Sequence, residues 1–141
     1  MATRLGLDEA RMIVDVMLAE AQQRDIKFAA AVVDAGGDLI HLSRMNGASA
    51  LNARMSYNKA YTATKWQMDT KVLKTRLFDM SLGDERREIT WFCDPLYTPV
   101  WGGIVLRDGD GTMLGALGQS GGTYLQDEEI GQIAAKAFYE L

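Results

Sequence analysis

Two pairs of short apolar runs, each pair joined by a reversing turn, constrain this chain more than any other feature. Phe28 to Val33 and Leu39 to Leu42 flank Asp34-Ala35-Gly36-Gly37-Asp38. Ile104 to Leu106 and Met113 to Leu117 flank Asp108-Gly109-Asp110-Gly111. Glycine takes positive φ at no steric cost, and aspartate bonds back to its own turn, so both clusters read as β-hairpin connections. Hairpins make antiparallel strands. The run from Phe28 to Val33 lacks alternation, so its strand is expected to be central and covered on both faces. Gly115 and Gly118 in the last strand signal close approach by another backbone or a ligand.

Helical periodicity fills most of the remaining chain. Ala10, Ile13, Val14, Met17, Leu18 and Ala21 form one stripe, predicting a helix from about Leu7 to Arg24. Asp8 and Glu9 fall in its first turn, where negative charge suits the helix dipole. A second helix is expected from about Ser49 to Trp66, after the Met45-Asn46-Gly47 turn. Its small residues Ala50, Ala53, Ala60 and Ala63 permit close packing. A third is expected from Thr70 to Met80, capped by Asp69 or Thr70. A fourth runs from about Gln126 to Tyr139 on the stripe Ile130, Ile133, Ala134 and Ala137. Residues 81–100 hold both prolines, Trp91 and Phe92 and show little periodicity. Such a stretch is expected to border a pocket or an interface. Strands from hairpins with helices packed on them make an α+β layered sandwich.

At 141 residues with 48% hydrophobic content, the chain suits one domain, 1–141, with a real core. A net charge of −4 and scattered basic residues argue against nucleic acid. Lys65, Lys71, Lys74 and Arg76 read as a solvated helix face. Cys93 is the single cysteine, which rules out an internal disulfide and a cysteine-based metal cluster. No apolar run reaches the length of a membrane span, and Met1 to Leu5 lacks a secretory core. A cytoplasmic protein is expected, with no membrane partner.

Five segments in order then carry a resemblance. They are Val32-Val33-Asp34-Ala35-Gly36-Gly37-Asp38-Leu39, Ser43-Arg44-Met45-Asn46-Gly47-Ala48, and Asn58-Lys59-Ala60-Tyr61-Thr62-Ala63. Trp101-Gly102-Gly103-Ile104 follows, and then Gly115 to Thr123 with Gln126-Asp127-Glu128. Together they resemble the GlcG/HbpS-like family, also labelled heme-degrading, which includes the C-terminal domain of PduO-type proteins. The resemblance covers nearly the whole chain. It implies a five-stranded antiparallel sheet flanked by helices, in the order α-β-β-α-α-β-β-β-α. It also implies homo-oligomers from dimers to octamers, heme binding in some members, and a place in catabolism. The sequence departs from the family pattern at Tyr61, Trp101 and Val105, around the expected pocket. The residues themselves name no cofactor and no metal; heme comes in through the resemblance.

Candidate site residues follow from side-chain chemistry. His41 is the only histidine, the simplest heme ligand or general base. It lies between Ile40 and Leu42 and, on strict alternation, faces away from both. Arg44 offers a planar fork for a carboxylate. Lys59 lies among small residues, as a proton-transfer group with a lowered pKa or as half of a structural ion pair. Tyr61 and Trp101 can wall a pocket or simply pack. Gly102 and Gly103 can present amides to an oxygen, or form a tight turn. Gly121, Gly122 and Thr123 precede the last helix, where their N–H groups can cradle an anion and Thr123 can cap. Asp127 is expected in that helix's first turn.

Asp108 to Gly111 is not an EF-hand, since its glycine falls too early and no later glutamate follows. Gly118 to Gly122 is not a P-loop. Two readings stay open: a small-molecule-binding protein, with heme the family's usual ligand, and a cofactor-independent isomerase, hydratase or lyase on a small carboxylate or aromatic catabolite. In the second, Arg44 holds the carboxylate, Lys59 or Tyr61 moves the proton, and the Gly102-Gly103 amides hold an enolate-like oxygen. A structural partner within a complex is a third class. The binding and enzyme readings alike expect the glycine loop, Arg44 and Lys59 to converge on one cavity; if they point into separate regions, the case for any ligand or reaction at that place fails.

Overall fold

The computed structural model describes residues 4–79 and 89–141. Met80, the expected end of the third helix, and residues 81–88 lie outside that range. The element order is α1 (Leu7–Gln23), β1 (Ala29–Asp34), β2 (Leu39–Arg44), α2 (Ala50–Trp66), α3 (Thr70–Leu77), β3 (Ile104–Arg107), β4 (Met113–Ser120) and α4 (Tyr124–Tyr139). A short 3₁₀ turn covers Ile89–Phe92.

Both hairpins form, and the four strands make one antiparallel sheet in the order β2-β1-β4-β3. The five-stranded sheet implied by the resemblance is corrected to four strands among the described residues. The physical reason is that β4 runs unbroken from Met113 through Gly118 to Ser120. It pairs along that length with β1, so Gly118 to Ser120 prolong one strand and start no other.

β1 is central, as its continuous apolar run requires, and its first five residues are buried. On one face Ala30 and Val32 join Ile104, Leu106 and Leu117 against Ile13, Val14 and Met17 of α1 and Ile130, Ala134 and Phe138 of α4. Burying each large aliphatic chain there contributes about 1.5–3 kcal/mol. On the other face Val33, Val105 and Ala116 meet Ala60 and Ala63 of α2. The sheet therefore carries helices on both sides.

The second face is thin because its residues are small. A Cβ on Gly118 would strike the Ser56 carbonyl oxygen, and one on Gly103 would strike that of Lys59. Close backbone approach is what these glycines permit. At the helix ends, the Ser49 hydroxyl accepts from Asn52 N at 3.1 Å. Thr123 and Gln126 form a capping box, so α4 starts two residues before the expected Gln126. Asp69 occupies the α3 N-cap position but makes no side-chain cap bond; it accepts from Val105 N at 2.9 Å instead. Thr70 also turns to the segment before β3, donating to Val100 O at 2.6 Å and accepting from Gly103 N at 2.9 Å.

Candidate functional site

Lys59, Gly102, Gly103, Gly122 and Thr123 come together around one buried ion pair. Lys59 projects from α2 past the glycine turn, and its Nζ donates to Gln119 O at 2.7 Å and to Asp127 Oδ2 at 3.0 Å. The other carboxylate oxygen of Asp127 accepts from Gly122 N at 3.0 Å. The Gln119 side-chain amide donates to the Asp127 carbonyl. Lys59 and Asp127 side chains are 1% and 5% exposed, so neither charge has useful contact with water. Burial lowers the Lys59 pKa and raises that of Asp127, and each charge opposes the shift of the other. The pair ties α2, the end of β4 and the start of α4 together. The Gly102 and Gly103 turn packs directly on the Lys59 stem and backbone.

Arg44 lies elsewhere, exposed at the end of β2. The register pairs it with Ala29, on the α2 side of the sheet. His41 is on the opposite side. A bulge between Val32 and Val33 pairs Val32 with His41 and Val33 with Leu39, skipping Ile40. Ile40 therefore packs with the α1 core, and His41 shares that side, its Nε2 3.2 Å from Ser43 Oγ. The strict alternation expected from sequence fails here because one extra residue shifts the phase.

Tyr61 and Trp101 also part company. Tyr61 lies between Tyr57 and Tyr97, with ring centroids 5.9 and 6.3 Å away. Its hydroxyl donates to Asp94 Oδ2 at 2.7 Å, and that bond pushes the phenol's pKa up to about 12. Trp101 packs edge-on against Tyr124 at 4.9 Å, with Lys71 Nζ 4.6 Å from its ring centroid. Gly121 has φ +146° and lies against Lys27 and Phe28.

The convergence expected of the glycine loop, Arg44 and Lys59 does not form, since Lys59 is engaged by Gln119 and Asp127 while Arg44 is exposed at the end of β2, and the case for a ligand or reaction at that place falls with it. A separate groove of about 670 Å³ opens between β2 and α2. Leu39, Leu42, Ala53 and Leu96 give it apolar walls, and Arg54, Tyr57 and Asn58 supply its polar groups. The bulge makes it possible, since it sends Leu39 and Leu42 to this side together. Arg54, Tyr57 and Asn58 follow the i, i+3, i+4 spacing of one helix face, a signal present in the sequence and missed there. The Tyr57 hydroxyl donates to Gly37 O at 3.3 Å. Burial, then the charges of Asp38, Asp94 and Asp34, raise its pKa.

The groove's outer wall comes from the stretch expected to border a pocket. Thr62 Oγ1 accepts from Thr98 N at 2.9 Å, and Leu96 N donates to Asp94 Oδ1 at 2.9 Å. With the Tyr61–Asp94 bond, these hold Leu96 over α2. Among the described residues, no group of three or more His, Cys, Asp or Glu is placed to hold a metal ion, and no helix is long and apolar enough to cross a membrane.

Comparison with known proteins supplies the lineage. The family model described as "Haem degrading protein HbpS-like" matches residues 5–136. Protein GlcG of Escherichia coli strain K12 is 31% identical over 122 residues, 85% of this chain and 85% of that protein. The crystal structure of a PduOC:heme complex superposes with a TM-score of 0.86 at 26% identity, covering 96% of this chain and 95% of the other. A double mutant of Streptomyces reticuli HbpS shares the fold, with a TM-score of 0.81 at 23% identity, over 97% of this chain and 88% of its own.

Proposed function

The chain belongs to the HbpS-like family, and from that premise we propose that it binds a planar, mostly apolar carboxylate of the tetrapyrrole class in the groove between β2 and α2. The observation that carries this reading is the groove's lining: a broad apolar wall with one guanidinium, Arg54, and a volume in the range of small-molecule sites. The structural neighbour named as a heme complex supports the ligand class. Leu39, Leu42 and Leu96 would cover a ring face, Arg54 would pair with a carboxylate, and Asn58 would hydrogen-bond at the rim.

The lining fits the organic ring better than its iron. Among the described residues that line it there is no histidine, cysteine or methionine. Of those residues Tyr57 is the one oxygen donor of the axial type, and burial raises the pKa of that phenol, which disfavours the phenolate an iron would take. His41 lies on the other side of the sheet. Heme and iron-free protoporphyrin IX should therefore bind with affinities within about tenfold of each other. Absorbance titration of the purified protein checks this. Leu42→Glu should weaken both ligands about tenfold or more by placing a charge on the apolar wall, and Arg54→Ala should weaken both about three- to fivefold. Heme binding that survives Leu42→Glu and vanishes in His41→Ala would overturn the assignment.

The enzyme reading has less support. The Lys59 ammonium is already engaged by Asp127 and Gln119, and the phenol lining the groove is Tyr57 rather than Tyr61. A homo-oligomeric state and a cytoplasmic location remain part of the proposal through the family; sedimentation velocity of the purified chain tests the first.

A further inference from the structure

The groove between β2 and α2 carries opposite charges at its two ends. Arg54, an exposed guanidinium, stands at the end nearer the start of α2. The other end lies where the turn between β1 and β2 meets the helix. There the Tyr57 hydroxyl donates to Gly37 O at 3.3 Å, and a Cβ on Gly37 would touch Tyr61, Thr64 and Lys65. That turn brings in Asp34 and Asp38, the latter directly before the groove residue Leu39. Asp94 comes from the outer wall, where its carboxylate accepts from the Tyr61 hydroxyl at 2.7 Å and from Leu96 N at 2.9 Å. The charges of all three carboxylates reach the Tyr57 hydroxyl.

Lys65 is the cation at this end. Its ammonium donates to Gly36 O at 2.9 Å and stands 5.4 Å from the centroid of the Tyr61 ring. Asp34 is spent on its own turn, accepting from Gly36 N at 2.9 Å and Asp38 N at 3.0 Å, and Asp94 is spent on the wall. Asp38 is exposed beside Leu39, where a ligand in the groove would meet it. Arg54 and Tyr61 are separated on α2 by about 10 Å along the helix axis. A ligand that fills the groove therefore finds attraction for carboxylate at one end and repulsion at the other.

We infer that the groove takes a tetrapyrrole in one orientation and favours one whose carboxylates share a single edge, that edge lying at Arg54 and the carboxylate-free edge at Asp38. The inference rests on the tetrapyrrole reading and names which members of the class fit. Asp38 acts by repulsion: a ring bearing carboxylate on every side meets like charge whichever way it is turned.

Protoporphyrin IX and coproporphyrin III form a matched pair for the test. Both have neighbouring propionates on one edge, and coproporphyrin III bears further propionate where the other carries vinyl. Absorbance titration of the intact chain at low ionic strength should show coproporphyrin III binding at least about tenfold more weakly. Asp38→Asn should shrink that ratio about threefold, and added salt should shrink it too. Asp110→Asn, the same charge change in the other hairpin turn, should leave the ratio as in the wild type. Equal binding of the two porphyrins, or a ratio that Asp38→Asn leaves in place or Asp110→Asn alters as much, overturns the orientation, and the groove reading still stands if Leu42→Glu weakens protoporphyrin IX. Protoporphyrin IX that fails to bind, or binds as well in Leu42→Glu, removes the groove reading and this inference together.

Discussion

Lys59 and Asp127 bring opposite charges into a region almost closed to water, where each is tolerable only because of the other. Removing one partner should therefore be far worse than removing both. Lys59→Met is expected to destabilise the fold by about 3–5 kcal/mol, since it strands a buried carboxylate. Adding Asp127→Asn should restore part of that loss, giving a clear coupling energy in a double-mutant cycle read by urea denaturation. Independent, additive losses would contradict the pairing. Glu128 differs because its hydrogen bonds come from neutral groups, the Gln132 side-chain amide at 2.7 Å and the Gly102 N–H. Burial raises its pKa above the ordinary 4.5; Asp69 raises it further, while Gln132, Lys71 and the Gly102 amide pull it back, and its charge reaches Lys59. Between 4.5 and the raised value the folded chain holds a proton that the unfolded chain has released, so stability from this group rises as pH falls through that window. Glu128→Gln removes the effect. The variant should be more stable than the wild type at neutral pH, and the gap should narrow on acidification; thermal melts of both proteins across the window check it.

At the scale of elements, the bulge in β2 decides which side chains meet. One skipped residue sends Ile40 and His41 to the α1 side, and Leu39 and Leu42 to the groove. Nothing in Leu39-Ile40-His41-Leu42 announces it, because a bulge is a property of the pairing and not of one strand. The hairpins were legible because their turns carry glycine and aspartate where the backbone must reverse. The helices were legible from their stripes, and Lys59 stood out as a charge among small residues. Its partner could not be read, since Asp127 reaches it through the fold and also fits the simpler role of a first-turn acid. The wall over the groove depends on bonds between distant segments, which the sequence does not show. Tyr61→Phe deletes one of them, worth about 1 kcal/mol. Hydrogen exchange at the Leu96 and Thr98 amides should quicken by roughly fivefold, with the core strands unchanged. Gly118→Ala tests the thin face of the sheet: a methyl directed at the Ser56 carbonyl should cost about 1–3 kcal/mol in urea denaturation. A neutral result would mean that α2 lies farther from β4 than described.

At the scale of the whole molecule, the sheet separates two packed layers of different character. The α1 and α4 side is a core of large aliphatic and aromatic chains; the α2 side is a thin layer of small residues beside a groove with oily walls and one guanidinium. Family membership explains the shared architecture. The sheet order also has a consequence for synthesis. The central pair joins β1, near the beginning of the chain, to β4, near its end. A nascent polypeptide can close the first hairpin early, but β1 keeps an open hydrogen-bonding flank until Ser120 has emerged from the ribosome. Such distant closure is slow and exposes an adhesive edge while it waits. Arrested chains that end before β4 should accordingly aggregate or be captured by chaperones, and chains released just beyond α4 should collapse into the finished sandwich in one cooperative step.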